Sequence, residues 1–285
     1  MSALEAYDPA PVPGDVTPFF LEGHGGPVFC LHVPAQAPER LALVYCPPFA
    51  EEMNRGRRAV AVQARRLAAR GIATLIVDPY GTGDSGGDFA EADWDLWLSD
   101  LETAAAWLAR ASGTRPGFWG VRSGALLAAE MARRTAARHL LFWQPVAEGA
   151  AFVRQLLRVG VAAGLRGGGL RGGGPATTPR HSLAAGRPVE IAGYTLRPAL
   201  LDALAARTLR DLPPPAGTRV AWLEIAADAA AGPGAASRLA MAAWEAGGAA
   251  VDAHTVVDVP FWSLWEAPLP ERLLERTGDA LARWP

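Results

Sequence analysis

The sequence predicts an α/β protein with a mostly parallel central sheet of about eight strands, helices on both faces and a small inserted cap. Three observations carry this. Short apolar runs alternate with helical stretches along most of the chain, the pattern of βαβ units. The runs Leu41 to Cys46 and Ile72 to Val77 are apolar almost throughout, as expected of strands buried on both faces. One long stretch, 147–215, breaks the alternation and marks an insertion.

Taken in order, Phe19 to Gly23 and Pro27 to Val33 are strands joined by the turn His24-Gly25-Gly26, an antiparallel edge hairpin. After the strand Leu41 to Cys46, apolar residues at helical spacing among arginines predict a helix from Arg55 to Arg70, closed by Gly71. The strand Ile72 to Val77 opens into a loop dense in turn formers, Asp78 to Gly87. Ala92 to Ala109 reads as a helix, Gly117 to Trp119 as a strand and Ala125 to Arg134 as a helix. His139 to Val146, Arg219 to Ile225 and Val251 to Val257 complete the strands. Helices are predicted at Gly234–Glu245 and Glu271–Arg283. The core is thus 1–146 with 216–285, and the cap is 147–215. Within the cap, Ala151 to Val159 and Leu196 to Leu204 are helical, and two Gly triplets at 165–175 read as a disordered loop.

The chain has 285 residues and a net charge of −2, so no global field draws in nucleic acid or an anionic membrane. It contains no run of 18 apolar residues, and no membrane span is expected. Met1 to Asp15 is polar and Pro-rich, unlike a secretory signal. The two cysteines, Cys30 and Cys46, sit in apolar strands and read as reduced, buried thiols, so a cytoplasmic protein is expected. No zinc pattern occurs. The glycines from Gly81 to Gly86 lack dinucleotide-binding spacing, and no Walker motif is present, so neither metal nor cofactor is expected.

The informative motif is Gly120-Val121-Arg122-Ser123-Gly124, between a short strand and an Ala-rich helix. That context is the nucleophile elbow of α/β hydrolases. Its centre should hold Ser, Cys or Asp, and here it holds Arg122, a permanent cation that cannot attack a carbonyl. The chain resembles the α/β-hydrolase superfamily in further motifs: Pro47-Pro48-Phe49-Ala50 at the usual oxyanion-loop position, Asp78-Pro79-Tyr80-Gly81-Thr82-Gly83-Asp84-Ser85 as a D-x-x-G-x-G-x-S loop, and the inserted cap. More narrowly it resembles exosortase A system-associated hydrolases of the second type. The cues are Cys46 to Asn54, the Arg-centred elbow, Val189 to Tyr194 and Pro260-Phe261-Trp262. That resemblance implies association with PEP-CTERM export and extracellular polysaccharide, with a protein partner from the same system, and assigns no reaction.

A working triad needs a nucleophile, a base bonded to it and an acid orienting the base. Ser123 lies one place past the elbow centre, where a residue starts the helix; as a displaced nucleophile it is the runner-up. Asp228, after the strand that follows the cap, is placed for the acid. The loop after the last strand, Asp258 to Glu266, contains no His, and His254 lies too early, inside the strand. Two of three triad positions are therefore replaced.

The residues favour a triad-degenerate, non-catalytic binding or accessory protein. An active esterase or thioesterase using Ser123 with a non-standard base, and a protein–protein scaffold, are the alternatives. Arg122, the N–H groups opening the Ser123 helix and, by resemblance, the Phe49 N–H form an anion site, and nearby tryptophans, Trp262 among them, suit an acyl chain or a sugar. Equally, Glu51, Glu52, Asp228 or Glu266 around the same mouth could pair with Arg122 and plug it.

Overall fold

The computed structural model describes residues 16–166, 179–264 and 268–284. Glu266, Trp265, the N-terminal 15 residues and all but the first two residues of the Gly-rich run lie outside this set; those two, Leu165 and Arg166, finish a helix.

The chain begins with a hairpin, β1 (Thr17–Glu22) and β2 (Pro27–Val33). There follow β3 (Leu41–Cys46), helix α1 (Glu51–Ala68), β4 (Ile72–Asp78), α2 (Trp94–Ser112), β5 (Gly117–Val121), α3 (Gly124–Thr135) and β6 (His139–Trp143). The insertion holds α4 (Gly149–Arg166), α5 (Pro179–Ala184), β7 (Val189–Ile191), β8 (Tyr194–Leu196) and α6 (Pro198–Ala205). The core resumes with β9 (Arg219–Ala226), α7 (Ala235–Ala246), β10 (Ala250–Val257) and α8 (Glu271–Leu281).

Eight strands form one sheet in the order β1-β2-β4-β3-β5-β6-β9-β10. Pairing is antiparallel from β1 to β4 through β2, and parallel from β4 to β10. Strand alternation divides the core into two layers. Ala42, Val44 and Cys46 face the layer formed with α2, α3 and α7, while Leu41, Leu43 and Tyr45 face the layer formed with α1 and α8. All six are buried, so β3 carries no polar face. Burying a large aliphatic side chain contributes about 2 kcal/mol each, which is why the centre of the sheet reads as unbroken apolar runs. Trp119, Trp143 and Trp222 lie inside strands and are fully buried packing residues. Both cysteines are buried and unlinked, and burial pushes their thiols up.

Several boundaries differ from the sequence reading, among them the cap helix α4, which runs Gly149–Arg166 and not Ala151 to Val159, and three have a clear physical reason. Helix α1 starts at Glu51, not Arg55, after a sharp entry at Ala50 (φ 50°). Two glutamates in its first turn suit the unpaired N–H groups and partial positive charge there. Strand β6 stops at Trp143, because Gln144 has φ 43° and Pro145 has no N–H for a ladder. The predicted helix at Leu196 begins at Pro198, and the segment before it is the hairpin β7–β8. Ala192 and Gly193 at φ 52° and 84° make the two-residue turn whose twist suits paired strands.

Candidate functional site

Three parallel strands, β3, β5 and β6, end side by side, and the elbow follows β5. Arg122 has φ 53°, the left-handed conformation that costs a non-glycine residue about 1 kcal/mol. Backbone bonds hold it there: its N–H donates to the Trp143 carbonyl at 2.9 Å, and its carbonyl accepts from Val146 N–H at 3.0 Å and Ala125 N–H at 3.2 Å. The flanking glycines are required by contact. A Cβ on Gly124 would lie 2.1 Å from the Cys46 carbonyl oxygen and 2.5 Å from that of Pro47; one on Gly120 would meet Ala125 Cα at 2.5 Å.

The guanidinium does not project into open space. Nε donates to Glu52 Oε2 at 3.2 Å and Nη2 donates to Glu52 Oε1 at 3.1 Å, a two-pronged pairing. Nη1 leans on the Gln144 carbonyl at 3.4 Å. Trp262 covers the group, with Cζ 4.9 Å from the ring centroid, a cation–π contact. The Arg122 and Glu52 side chains are 11% and 21% exposed, so the pair is largely shielded from water. Burial pushes the Glu52 carboxyl up; Arg122, and more weakly Arg55, pull it back without cancelling the shift.

Ser123 has a different occupation. Its Oγ accepts the Phe49 N–H at 2.9 Å, and the residue is 4% exposed. The hydroxyl thus occupies the Phe49 N–H. The Phe49 ring turns away into an aromatic cluster with Phe89, Trp97 and Phe152 at centroid distances of 5.6, 5.9 and 6.2 Å. Tyr194 joins it through Phe89, and its hydroxyl accepts from Asn54 Nδ2 at 2.8 Å, tying β8 to α1.

The other predicted site residues are placed as follows. Glu51 forms a loose pair with Arg55 at 3.6 Å. Asp228 is exposed and caps its own turn, accepting Ala230 N–H at 2.9 Å. Among the described carboxylates, only Glu52 meets Arg122. His254 lies within β10, its Nε2 3.1 Å from Asp252. Glu224, the buried carboxylate near the end of β9, accepts the Trp222 indole N–H at 2.8 Å and Gly234 N–H at 2.9 Å. Neither it nor Asp228 orients a histidine. In the D-x-x-G-x-G-x-S loop, Ser85 accepts Phe29 N–H at 2.7 Å and donates to the Asp78 carbonyl, a bracing role. No group of three or more potential metal ligands occurs among the described residues.

One contributor escaped the sequence reading. Gln144 offers its carbonyl to Arg122 while its side-chain Oε1 accepts Ile225 N–H at 2.6 Å, clamping β6 to β9 beside the elbow. Its signal was a polar residue ending an apolar strand directly before a proline.

No family model matches the sequence, and no curated protein matches it. The structure is similar to Est1E from Butyrivibrio proteoclasticus, solved with ferulic acid bound, at 15% identity and TM-score 0.63, covering 93% of this chain and 98% of that one. It is similar to the hydrolase GrgF from Penicillium sp. sh18 at 16% identity and TM-score 0.59, covering 95% and 99%. A serine hydrolase without a lid, XC6422 from Xanthomonas campestris, aligns at 16% identity and TM-score 0.55, over 96% of each chain. The chain has the α/β-hydrolase fold. No helix among the described residues is long and apolar enough to cross a membrane.

Proposed function

We propose that this protein is a non-hydrolytic member of the α/β-hydrolase fold, in which the elbow binds an anionic group in place of attacking an ester. The observation that carries the reading is Arg122 at the elbow centre, joined to Glu52 by two hydrogen bonds. An arginine there supplies a planar donor fork, not a nucleophile. With Ser123 Oγ on the Phe49 N–H and no histidine after β10, the described residues set no base against Ser123 and leave no free oxyanion donor at Phe49.

Glu52 acts as an internal stand-in for the ligand. Its carboxyl is pushed up by burial, so it takes a proton at a higher pH than an ordinary glutamate and then loosens its hold on Arg122. A carboxylate, sulfate or phosphate group displaces it most readily under mildly acidic conditions. Trp262, half-buried over the guanidinium, supports an acyl or glycan portion beside the anionic one. The resemblance to exosortase-associated hydrolases favours an accessory role in surface-polysaccharide or protein export, with a partner from that system.

Calorimetric titration with octanoate and with sulfate at mildly acidic and neutral pH tests the site. Binding is expected to be tighter at the lower pH and weakened at least about tenfold in Arg122→Met. Absence of binding by either anion, or binding unchanged in the variant, rejects the anion site. Hydrolysis of a nitrophenyl ester that disappears in Ser123→Ala would instead establish the esterase alternative.

A further inference from the structure

Leu31 of β2 and Tyr45 of β3 both pair with Ile76 of β4, so the three side chains stand next to one another on one face of the sheet. Helix α1 crosses that face and turns Met53, Arg57 and Ala61 toward it, one position per turn. The helix does not close over the strands. A cavity of about 100 Å³ remains between them, with Asp78 at its end. Leu31 is half-buried there, and Ile76 is the one residue of β4 that is not buried. This cleft is distinct from the elbow: Glu52 turns to Arg122, while its neighbour Met53 turns to the cleft.

Two polar groups are built into this apolar cleft. Tyr45 is 4% exposed, and its ring is held edge-on to Trp119 at a centroid distance of 5.3 Å. Burial pushes the phenol up, so it stays a donor. Among the described residues its hydroxyl makes no hydrogen bond, yet it is not one of the sealed, unpartnered polar atoms, so it keeps accessible surface. Asp78 is 2% exposed and works through one oxygen only: Oδ2 accepts Arg57 Nη2 at 2.8 Å and Asp84 N–H at 3.1 Å. Its Oδ1 accepts nothing among the described residues and likewise keeps accessible surface. Arg57 neutralises Asp78, so the cleft carries no net charge.

We propose that the cleft between α1 and the β2–β4–β3 face is a second small-molecule site, which takes a short aliphatic alcohol. The ligand hydroxyl accepts from the Tyr45 phenol and donates to Asp78 Oδ1, while its alkyl part covers Leu31 and Ile76. A hydroxyl is the smallest group that answers a donor and an acceptor at once. A ketone answers Tyr45 alone, and a carboxylate would face Asp78. An apolar cavity of about 150 Å³ holds benzene, so one of about 100 Å³ takes roughly four or five heavy atoms.

The test titrates butan-2-ol, and butanone as the matched ketone, into the full chain isotope-labelled at its methionine methyls, read by NMR. Met53 lines the cleft, whereas Met131 and Met241 pack on the opposite face of the sheet and serve as internal controls. Butan-2-ol is expected to give a saturable shift of the Met53 methyl alone, with a Kd on the order of millimolar, as befits so small a ligand. Butanone should bind at least about fivefold more weakly. Tyr45→Phe should erase that preference. Ala61→Leu, at the half-buried lip of the cleft, should fill it and abolish the Met53 response without lowering the Tm. No saturable Met53 shift overturns the proposal, and so does butanone binding as tightly as the alcohol; both are read on the unaltered chain. Binding undiminished in Ala61→Leu, or an alcohol preference kept in Tyr45→Phe, overturns it as well.

Discussion

Arg122 Nη2 lies 3.1 Å from Glu52 Oε1, and this contact joins the centre of the elbow to the first turn of α1, the helix that follows β3. In a working hydrolase those two places supply the nucleophile and border the oxyanion hole. Here they neutralise each other beneath the Trp262 ring.

The pair also bears on stability. Glu52→Leu leaves the Arg122 guanidinium largely buried without its carboxylate and is expected to cost about 3 kcal/mol. Arg122→Met with Glu52→Leu removes both charges and should recover most of that loss. Denaturant unfolding of the four species measures the coupling, expected at about 2 kcal/mol. Additive single effects would show that the pair is not energetically joined.

Ser123→Ala removes the acceptor of a buried backbone N–H. The expected loss is about 1–2 kcal/mol of unfolding free energy, with no change in ester turnover over background. A catalytic serine would show the reverse pattern, lost turnover with little change in stability.

Gly124→Ala drives a Cβ to 2.1 Å from the Cys46 carbonyl oxygen, and backbone on both sides cannot yield as a side chain can. The substitution should cost more than about 3 kcal/mol or prevent folding, read by thermal melting. A melting temperature equal to that of the wild type would mean the elbow does not pack against the β3 end as described.

A pH effect resides in Asp100 on α2. The residue is fully buried, one oxygen accepting Tyr80 N–H at 2.8 Å and the other unpartnered. Burial pushes its carboxyl up to about 6, against the pull of the Tyr80 N–H and of His24. A raised carboxyl pKa means its stabilising contribution is present below the unfolded value of about 4 and is lost as pH rises through 6. Asp100→Asn should thus gain up to about 3 kcal/mol over the wild type at pH 8 and nothing at pH 4. Melting curves across that range check it; an equal difference at both ends contradicts it.

Much of the fold was legible because strand burial on both faces leaves an unmistakable apolar run, as in Leu41–Cys46, and because Gly120 and Gly124 mark a turn at fixed spacing. The β7–β8 hairpin was not, since three-residue strands are too short to show alternation. Within the site, the sequence put four carboxylates near the mouth without choosing among them. Glu52 meets Arg122 because α1 begins four residues earlier than its apolar periodicity suggested, and that start depends on the turn at Ala50, which no side chain caps. The role of Gln144 was hidden because it works through its own backbone carbonyl at a positive φ.

The most direct test of the central claim is reaction of the full chain with a fluorophosphonate, followed by mass spectrometry of the elbow peptide. A buried Ser123 hydroxyl bonded to the Phe49 N–H, with no base set against it among the described residues, predicts no phosphonyl adduct at Ser123 under conditions that label an active serine hydrolase completely. A stoichiometric adduct on Ser123 would contradict the account.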